Sequence, residues 1–443
     1  MLRQIRLALG ISIFWLSLSM LADGINTLIL PLQLSTLIPQ HSQATLLGLL
    51  TFVGLLAGAF FQPIAGALSD QLRPVLGRKG FIGIGLVLSL ASLLLFAIRQ
   101  SLTTMTIGYL TIQLSISFAQ AGQQGLLPDL VDEHRRGLAS GLKGFMDISG
   151  AMLGFVLLGQ LLGSDLLVPA IGVIGASLIV TYLLAVLLTP EDKLGAGKPL
   201  KSTLRLEHIF HLDISKETNF VRLILSRFLF LLGIYATGRF LLLFVADRLG
   251  LEADQAAEQA GMLLAGLALI TVVASPITGW CADRKGRIPL MIAGSILGGL
   301  SALLLIWANS ASQILLFGGL MSIGSAAFAG GSWALIADLV PKDESARYFG
   351  LANFSTAGSA AVAGLFGPLI DGVENILPGS GFSVLFIVAA LAFFASILPL
   401  KAPLLKESEE RNGNKTKVHT DGRGFAIVYV PADPASFEEN QNP

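Results

Sequence analysis

The 443-residue chain is 53% hydrophobic and only 13% charged, with 29 basic and 29 acidic residues in balance. A soluble domain carries roughly twice that charged fraction, and zero net charge gives no electrostatic footprint for nucleic acid. Its one cysteine, Cys281, excludes an internal disulfide and a cysteine-built metal site.

Apolar runs of about 20 residues recur along the chain, continuous rather than alternating, which points to membrane-spanning helices and not to barrel strands. In chain order the spans are expected near 7–31, 44–69, 80–98, 103–127, 137–163 and 166–189. A second set follows near 221–246, 258–282, 288–308, 311–337, 347–371 and 380–400. The first run follows Arg3 and Arg6 but contains Asp23 and lacks a small-residue cleavage site, so a retained helix is expected. The expected organisation is a six-helix bundle over 1–189, a polar middle loop over 190–219, a second bundle over 220–400 and a polar tail over 401–443. Part of the middle loop has the composition of a surface-lying amphipathic helix. Its His208 and His211 are three apart with no flanking ligand pattern, so no metal is expected there.

Twenty-three of the 29 Lys and Arg fall at the N-terminus, in the even-numbered connections and in the tail. Only Arg99 and Arg248 fall in odd-numbered ones. This asymmetry predicts that both termini and the even connections are cytoplasmic.

The chain repeats itself. "PDLVDEHRRGLASGLKGF" at 128–145 aligns without a gap on "ADLVPKDESARYFGLANF" at 337–354. "GALSDQLRPVLGRK" at 66–79 has a shorter echo, "GWCADRKGR", at 279–287. Duplicated six-span halves in parallel orientation are a transporter architecture. In the first copy, Gly66, Asp70, Arg73, Gly77, Arg78 and Lys79 join spans 2 and 3; the second keeps Gly279, Asp283, Arg284, Gly286 and Arg287. Glycine suits a sharp turn, the basic residues suit a cytoplasmic rim, and Asp70 at the end of span 2 suits the N-terminus of a neighbouring helix.

These residues and their spacing resemble the major facilitator superfamily of secondary transporters over about residues 7–400. The resemblance implies an all-helical membrane protein of twelve transmembrane helices in two pseudo-symmetric bundles that alternate access to a central site. It implies further that Asp70 holds the start of span 11, near Arg347, and Asp283 that of span 5, shutting the cytoplasmic side. "QPIAGALSDQLRPVLGRKGFIGIG" at 62–85 is similar to spans 2–3 of cation-coupled sugar transporters, whereas span 5 lacks the glycine- and proline-rich motif of antiporters.

Ionisable groups inside spans are functional candidates by default. Asp23 lies about 24 Å into span 1 and Arg239 about 27 Å into span 7 at 1.5 Å per residue. They are candidates for an outer gate pair, a charged-substrate site or a proton carrier. Asp147 lies near the midplane with Lys143 one turn away, the spacing of an intrahelical ion pair, and Arg227 sits nearer the cytoplasmic side of span 7. Gln113, Ser117, Gln120 and Gln124 share one face of span 4, suited to interhelical bonding or substrate contact. Asn26, Asn353 and Trp333 complete the candidate set, Trp333 as a stacking surface.

No P-loop, catalytic serine motif or HExxH is present, so neither an enzyme nor a cofactor is expected. The expectation is a monomeric, multi-pass inner-membrane secondary transporter of a small organic solute, proton- or cation-coupled, with a sugar or related polar solute as the first candidate. The alternatives are a proton-coupled drug or metabolite exporter and a non-transporting assembly factor on the same fold.

Overall fold

Every apolar run forms helix, because a backbone in hydrocarbon satisfies its own N–H and C=O groups only that way. The computed structural model describes residues 2–97, 101–131, 136–190, 218–339, 345–400, 419–420 and 426–427. The greater part of the middle loop and tail, the side chain of Asp283 and that of Arg347 lie outside the described residues. His419–Thr420 and Ala426–Ile427 pair as a short antiparallel ladder.

Span 1 is Arg6–Leu37 and spans 2 and 3 are the two arms of Gln40–Ala97. Spans 4, 5 and 6 are Leu102–Leu126, Gly141–Gly163 and Leu167–Leu188. Span 7 is Thr218–Arg239, span 8 Ala253–Ala282, span 9 Arg287–Leu305 and span 10 Ala311–Ile336. Spans 11 and 12 are Leu351–Ile376 and Gly381–Leu400. Together they are the twelve transmembrane helices of two pseudo-symmetric bundles.

Spans 2 and 3 run into one another without a loop, and the chain reverses at Gly77, whose φ of 64° and ψ of 172° belong to glycine. Gly286, at the matched turn 209 residues later, has φ 90° and ψ 152°. The two turns mark the motif end of the molecule; the other end is called the far end.

Three spans are interrupted. In span 1 a π-helical turn, Ile25–Ile29, follows Asp23 and Gly24. The helix therefore continues through Pro31 to Leu37, past the expected boundary at 31, because the widened turn accommodates the proline ring. Span 7 breaks at Phe240 (φ −100°, ψ 11°) and resumes as Leu241–Leu249, where one helix over 221–246 was expected. Span 11 breaks after Gly364 and resumes at Gly367–Ile376, with Pro368 in its first turn.

Each bundle is fastened by hydroxyl bonds between spans. Ser17 meets Thr181 at 2.5 Å and Ser89 donates to Ser115 at 3.0 Å in the first bundle. In the second, the Ser226 hydroxyl donates to the Ser396 carbonyl at 2.7 Å, while Ser295 meets the Ser396 hydroxyl at 2.8 Å. Phe230 and Phe328 stack at 3.9 Å between centroids in its core. Leu94, Leu187 and Leu391 stay exposed on the perimeter, as a lipid-facing surface requires.

The bundles meet at the far end. A methyl group at Gly48 of span 2 would overlap the carbonyl of Gly364 in span 11, and one at Gly367 would overlap that of Ala44. Gly159 of span 5 and Gly261 of span 8 touch in the same way, a Cβ on Gly159 standing 3.1 Å from the Gly261 Cα. Asp371 Oδ2 accepts the Thr45 backbone N–H at 2.6 Å, so span 11 caps the start of span 2. At the motif end, by contrast, Gly66, Gly141, Gly144 and Gly279 face open space among the described residues. The backbone-on-backbone contacts between the bundles thus lie at the far end, which is closed.

Candidate functional site: a charged midplane beneath a closed far end

The motif residues knit the first bundle together. Arg78 is buried and donates to Asp129 (3.0 Å) and Ser69 (2.9 Å), and it pairs with Asp70 at 2.5 Å. Arg73 pairs with Asp129 at 3.2 Å. Lys79 Nζ donates to the carbonyls of Val186 (3.0 Å) and Thr189 (2.8 Å), closing the C-terminus of span 6. Asp70 is thus held by Arg78 of its own bundle. In the second copy, Arg287 donates to the Ala334 carbonyl at 2.9 Å and Arg284 lies over Trp280 at 4.2 Å. The expected contacts of Asp70 with the start of span 11 and of Asp283 with span 5 involve side chains outside the described residues.

Asp23 stands at the interruption of span 1 and Arg239 at that of span 7, and each is an electrostatic neighbour of the other. Broken helices at corresponding positions of two repeats mark the site in transporters of this architecture. Arg239 is buried; one of its terminal nitrogens reaches the Ala360 carbonyl at 3.4 Å, and its Nε has no hydrogen-bond partner.

Beside Asp23, Asn26 Oδ1 accepts from the Tyr109 hydroxyl (2.7 Å) and from Gln113 Nε2 (3.2 Å), and Gln113 also donates to the Tyr109 oxygen at 2.7 Å. This buried triad ties spans 1 and 4. Tyr109 escaped the sequence reading, although it precedes Gln113 by one turn and extends the polar face. Ser117 donates to the Gly58 carbonyl at 3.2 Å, and Gln62 donates to Gln120 Oε1 at 3.4 Å. Gln124 is exposed; its neighbour Gln123 is the buried one, bonded to the Ile11 carbonyl. Asn353 is exposed on span 11.

Asp147 accepts a hydrogen bond from Ser19 of span 1. Lys143 lies 3.7 Å over the Trp15 ring instead of forming the expected contact pair with Asp147, because the ring offers the ammonium a nearer face. Arg227 stacks on Trp333 at 4.2 Å and donates to Ser332 Oγ (2.8 Å) and Thr356 Oγ1 (3.3 Å).

Two cavities flank this midplane. One of about 240 Å³ is mainly apolar, lined by Phe155, Ile234, Leu264, Met321, Ser325 and Phe386 among others. Another, about 250 Å³ at the far end, has a mixed lining that includes Gln43, Asp247, Asp371 and Glu374 beside Leu242 and Phe382. Burial and the nearby Glu374 carboxylate hold the Asp247 carboxyl above its ordinary range. No cluster among the described residues has the makings of a metal site.

The profile of the Major Facilitator Superfamily matches residues 7–257 and 223–435. The chain belongs to the major facilitator superfamily. Among curated relatives, it is 34% identical over 160 residues to the multi-drug resistance efflux pump PmrA of Streptococcus pneumoniae, 35% of this chain and 37% of that one. It is 31% identical over 210 residues to the multidrug resistance protein MdtG of Escherichia coli O1:K1, 44% of this chain and 49% of that one. The class E tetracycline resistance protein of Escherichia coli is 29% identical over 145 residues, 32% and 35% of the two chains. The match thus spans less than half the length of these relatives. Among solved structures, a bacterial homolog of the human lysosomal transporter Spinster, inward-facing and occupied, superposes with a TM-score of 0.65 at 14% identity, over 92% of this chain and 96% of that one. The peptide transporter POT in complex with sulfate gives 0.68 at 13% identity, over 91% and 95%.

Proposed function

We propose that the protein exports apolar or amphiphilic small molecules, coupled to proton entry, by alternating access. The observation that carries this reading is the apolar cavity of about 240 Å³ beside the interruption of span 7. Phe155, Met321 and Phe386 offer a ligand area without fixed hydrogen-bond geometry, which suits varied apolar cargo. A sugar site needs convergent free donors and acceptors, whereas Asn26, Gln113, Ser117 and Gln120 bond to one another, to the backbone or to Gln62. The efflux pumps among the relatives lend weight to the same side.

In this reading the motif end faces the cytoplasm of the inner membrane, in line with the distribution of Lys and Arg. Asp23 takes a proton when the far end opens and releases it when the motif end opens. Everted membrane vesicles energised to an acid interior test it with N-phenyl-1-naphthylamine, a neutral apolar dye. The expected result is gradient-driven dye accumulation that Asp23→Asn abolishes while leaving dye binding intact. Failure to move this dye or a panel of other amphiphiles under any gradient would overturn the reading.

A further inference from the structure

Among the described residues, five acidic or basic side chains are central to the midplane: Asp23, Lys143, Asp147, Arg227 and Arg239. Four have a counter-charge nearby: Asp147 has Lys143, and Arg239 has Asp23. Arg227 does not. No carboxylate among the described residues stands in ion-pair contact with it, and its electrostatic neighbour is the Tyr235 phenol. The side chain is 5% exposed, about 14 Å along span 7 from Thr218, where a lone guanidinium is costly.

The surroundings aim this cation without neutralising it. Ser332 and Thr356 each give their own hydroxyl hydrogen to a helix carbonyl, of Ala329 and Ala352, at 3.1 Å. Their oxygens are left to accept from Arg227. Trp333 supports the flat face of the guanidinium and is itself 36% exposed, and the Arg227 Nε is buried with no partner. A guanidinium has five N–H donors, so capacity remains for a planar or tetrahedral anion.

The same helix faces lead from this cation to the apolar cavity. Ile234 lies seven residues after Arg227, and Ser325 seven before Ser332, so each pair shares a helix face about 10 Å apart. Both Ile234 and Ser325 line the cavity. We infer that Arg227, backed by Trp333, Ser332 and Thr356, receives the anionic head (carboxylate, sulfonate or phosphate) of an amphiphilic cargo whose apolar body occupies that cavity. The inference rests on the export reading and names the substrate class within it.

The test compares two dyes that differ by one sulfonate, 1-anilinonaphthalene-8-sulfonate and N-phenyl-1-naphthylamine, on the full-length protein in nanodiscs of phosphatidylcholine, with or without phosphatidylglycerol. The sulfonated dye should bind about tenfold or more tightly than the neutral one, the gain of a charge-assisted contact. Arg227→Gln should erase that preference and leave neutral-dye affinity unchanged, while Arg227→Lys keeps part of it. Ser332→Asp, which gives the guanidinium an internal counter-ion, should erase the preference and raise the Tm; it serves if Arg227→Gln fails to fold. In energised everted vesicles the sulfonated dye should also be moved. Equal affinities for the two dyes in the wild type, or an unchanged preference in both variants, would overturn the inference. So would a sulfonated dye that phosphatidylglycerol displaces and vesicles do not move, which would make this a lipid headgroup site. If the neutral dye is still transported in those cases, the export reading stands and only the substrate class falls.

Discussion

Removing the Asp371 carboxylate should loosen the far end and leave the motif end as it is. The carboxylate is 7% exposed and accepts the Thr45 N–H at 2.6 Å, where span 2 begins and its helix dipole favours an anion. Loss of a helix cap costs about 0.5–2 kcal/mol, and a buried charged cap lies in the upper part of that range. The contact joins spans of different bundles, so the loss falls on the state closed at the far end. A change of about 1.4 kcal/mol multiplies the population open there roughly tenfold. Hydrogen–deuterium exchange reads this directly from peptides over 46–50 and 364–370, whose amides need not contact Asp371. Asp371→Ala should speed their exchange about tenfold, with peptides from spans 3 and 4 unchanged. Asp371→Asn keeps an acceptor without the charge and should fall between. Exchange at the wild-type rate, or acceleration spread evenly over the protein, would refute the argument.

Gly77→Ala forces a Cβ into a backbone region at φ 64°, ψ 172° that is nearly exclusive to glycine, and should lower stability by about 1–3 kcal/mol, seen as a lower Tm. Arg78→Gln leaves Asp70 and Asp129 without their shared partner and should cost about 3 kcal/mol, measurable by thermal unfolding in detergent. Met321→Ala and Phe386→Ala should each weaken neutral-dye binding several-fold, read by dye fluorescence, while leaving the Asp23-dependent gradient response in place.

The fold was legible because membranes impose one rule on every segment. Twenty-residue apolar runs and a repeat at Gly77 and Gly286 follow from that rule, and each turned up as a helix or a turn. The glycines needed no partner to be read, since a positive φ is a property of the residue and its neighbours in sequence. The interruptions of spans 1 and 7 were not visible. Pro31 does not by itself say that a π-helical turn rather than a helix end precedes it, and no proline or glycine pair announces the break at Phe240. The same limit explains Lys143, whose i,i+4 spacing to Asp147 says nothing of a Trp15 ring arriving from span 1. Asp371 went unread because its partner, the Thr45 amide, carries no side-chain signal. What one-dimensional spacing conveys well is a face; which helix meets that face depends on the tertiary arrangement.

The glycine contacts at the far end bear on leakage. A coupled exporter that lets protons slip past without cargo short-circuits the gradient it depends on. Where Gly48 meets Gly364 and Gly367 meets Ala44, backbone lies directly on backbone, with no side chain between them whose rotamer change would admit a file of water. The barrier there is made of peptide groups already bonded within their own helices. A seal of this kind leaves water no side-chain gap to enter at these crossings, whatever the rotamers around it do.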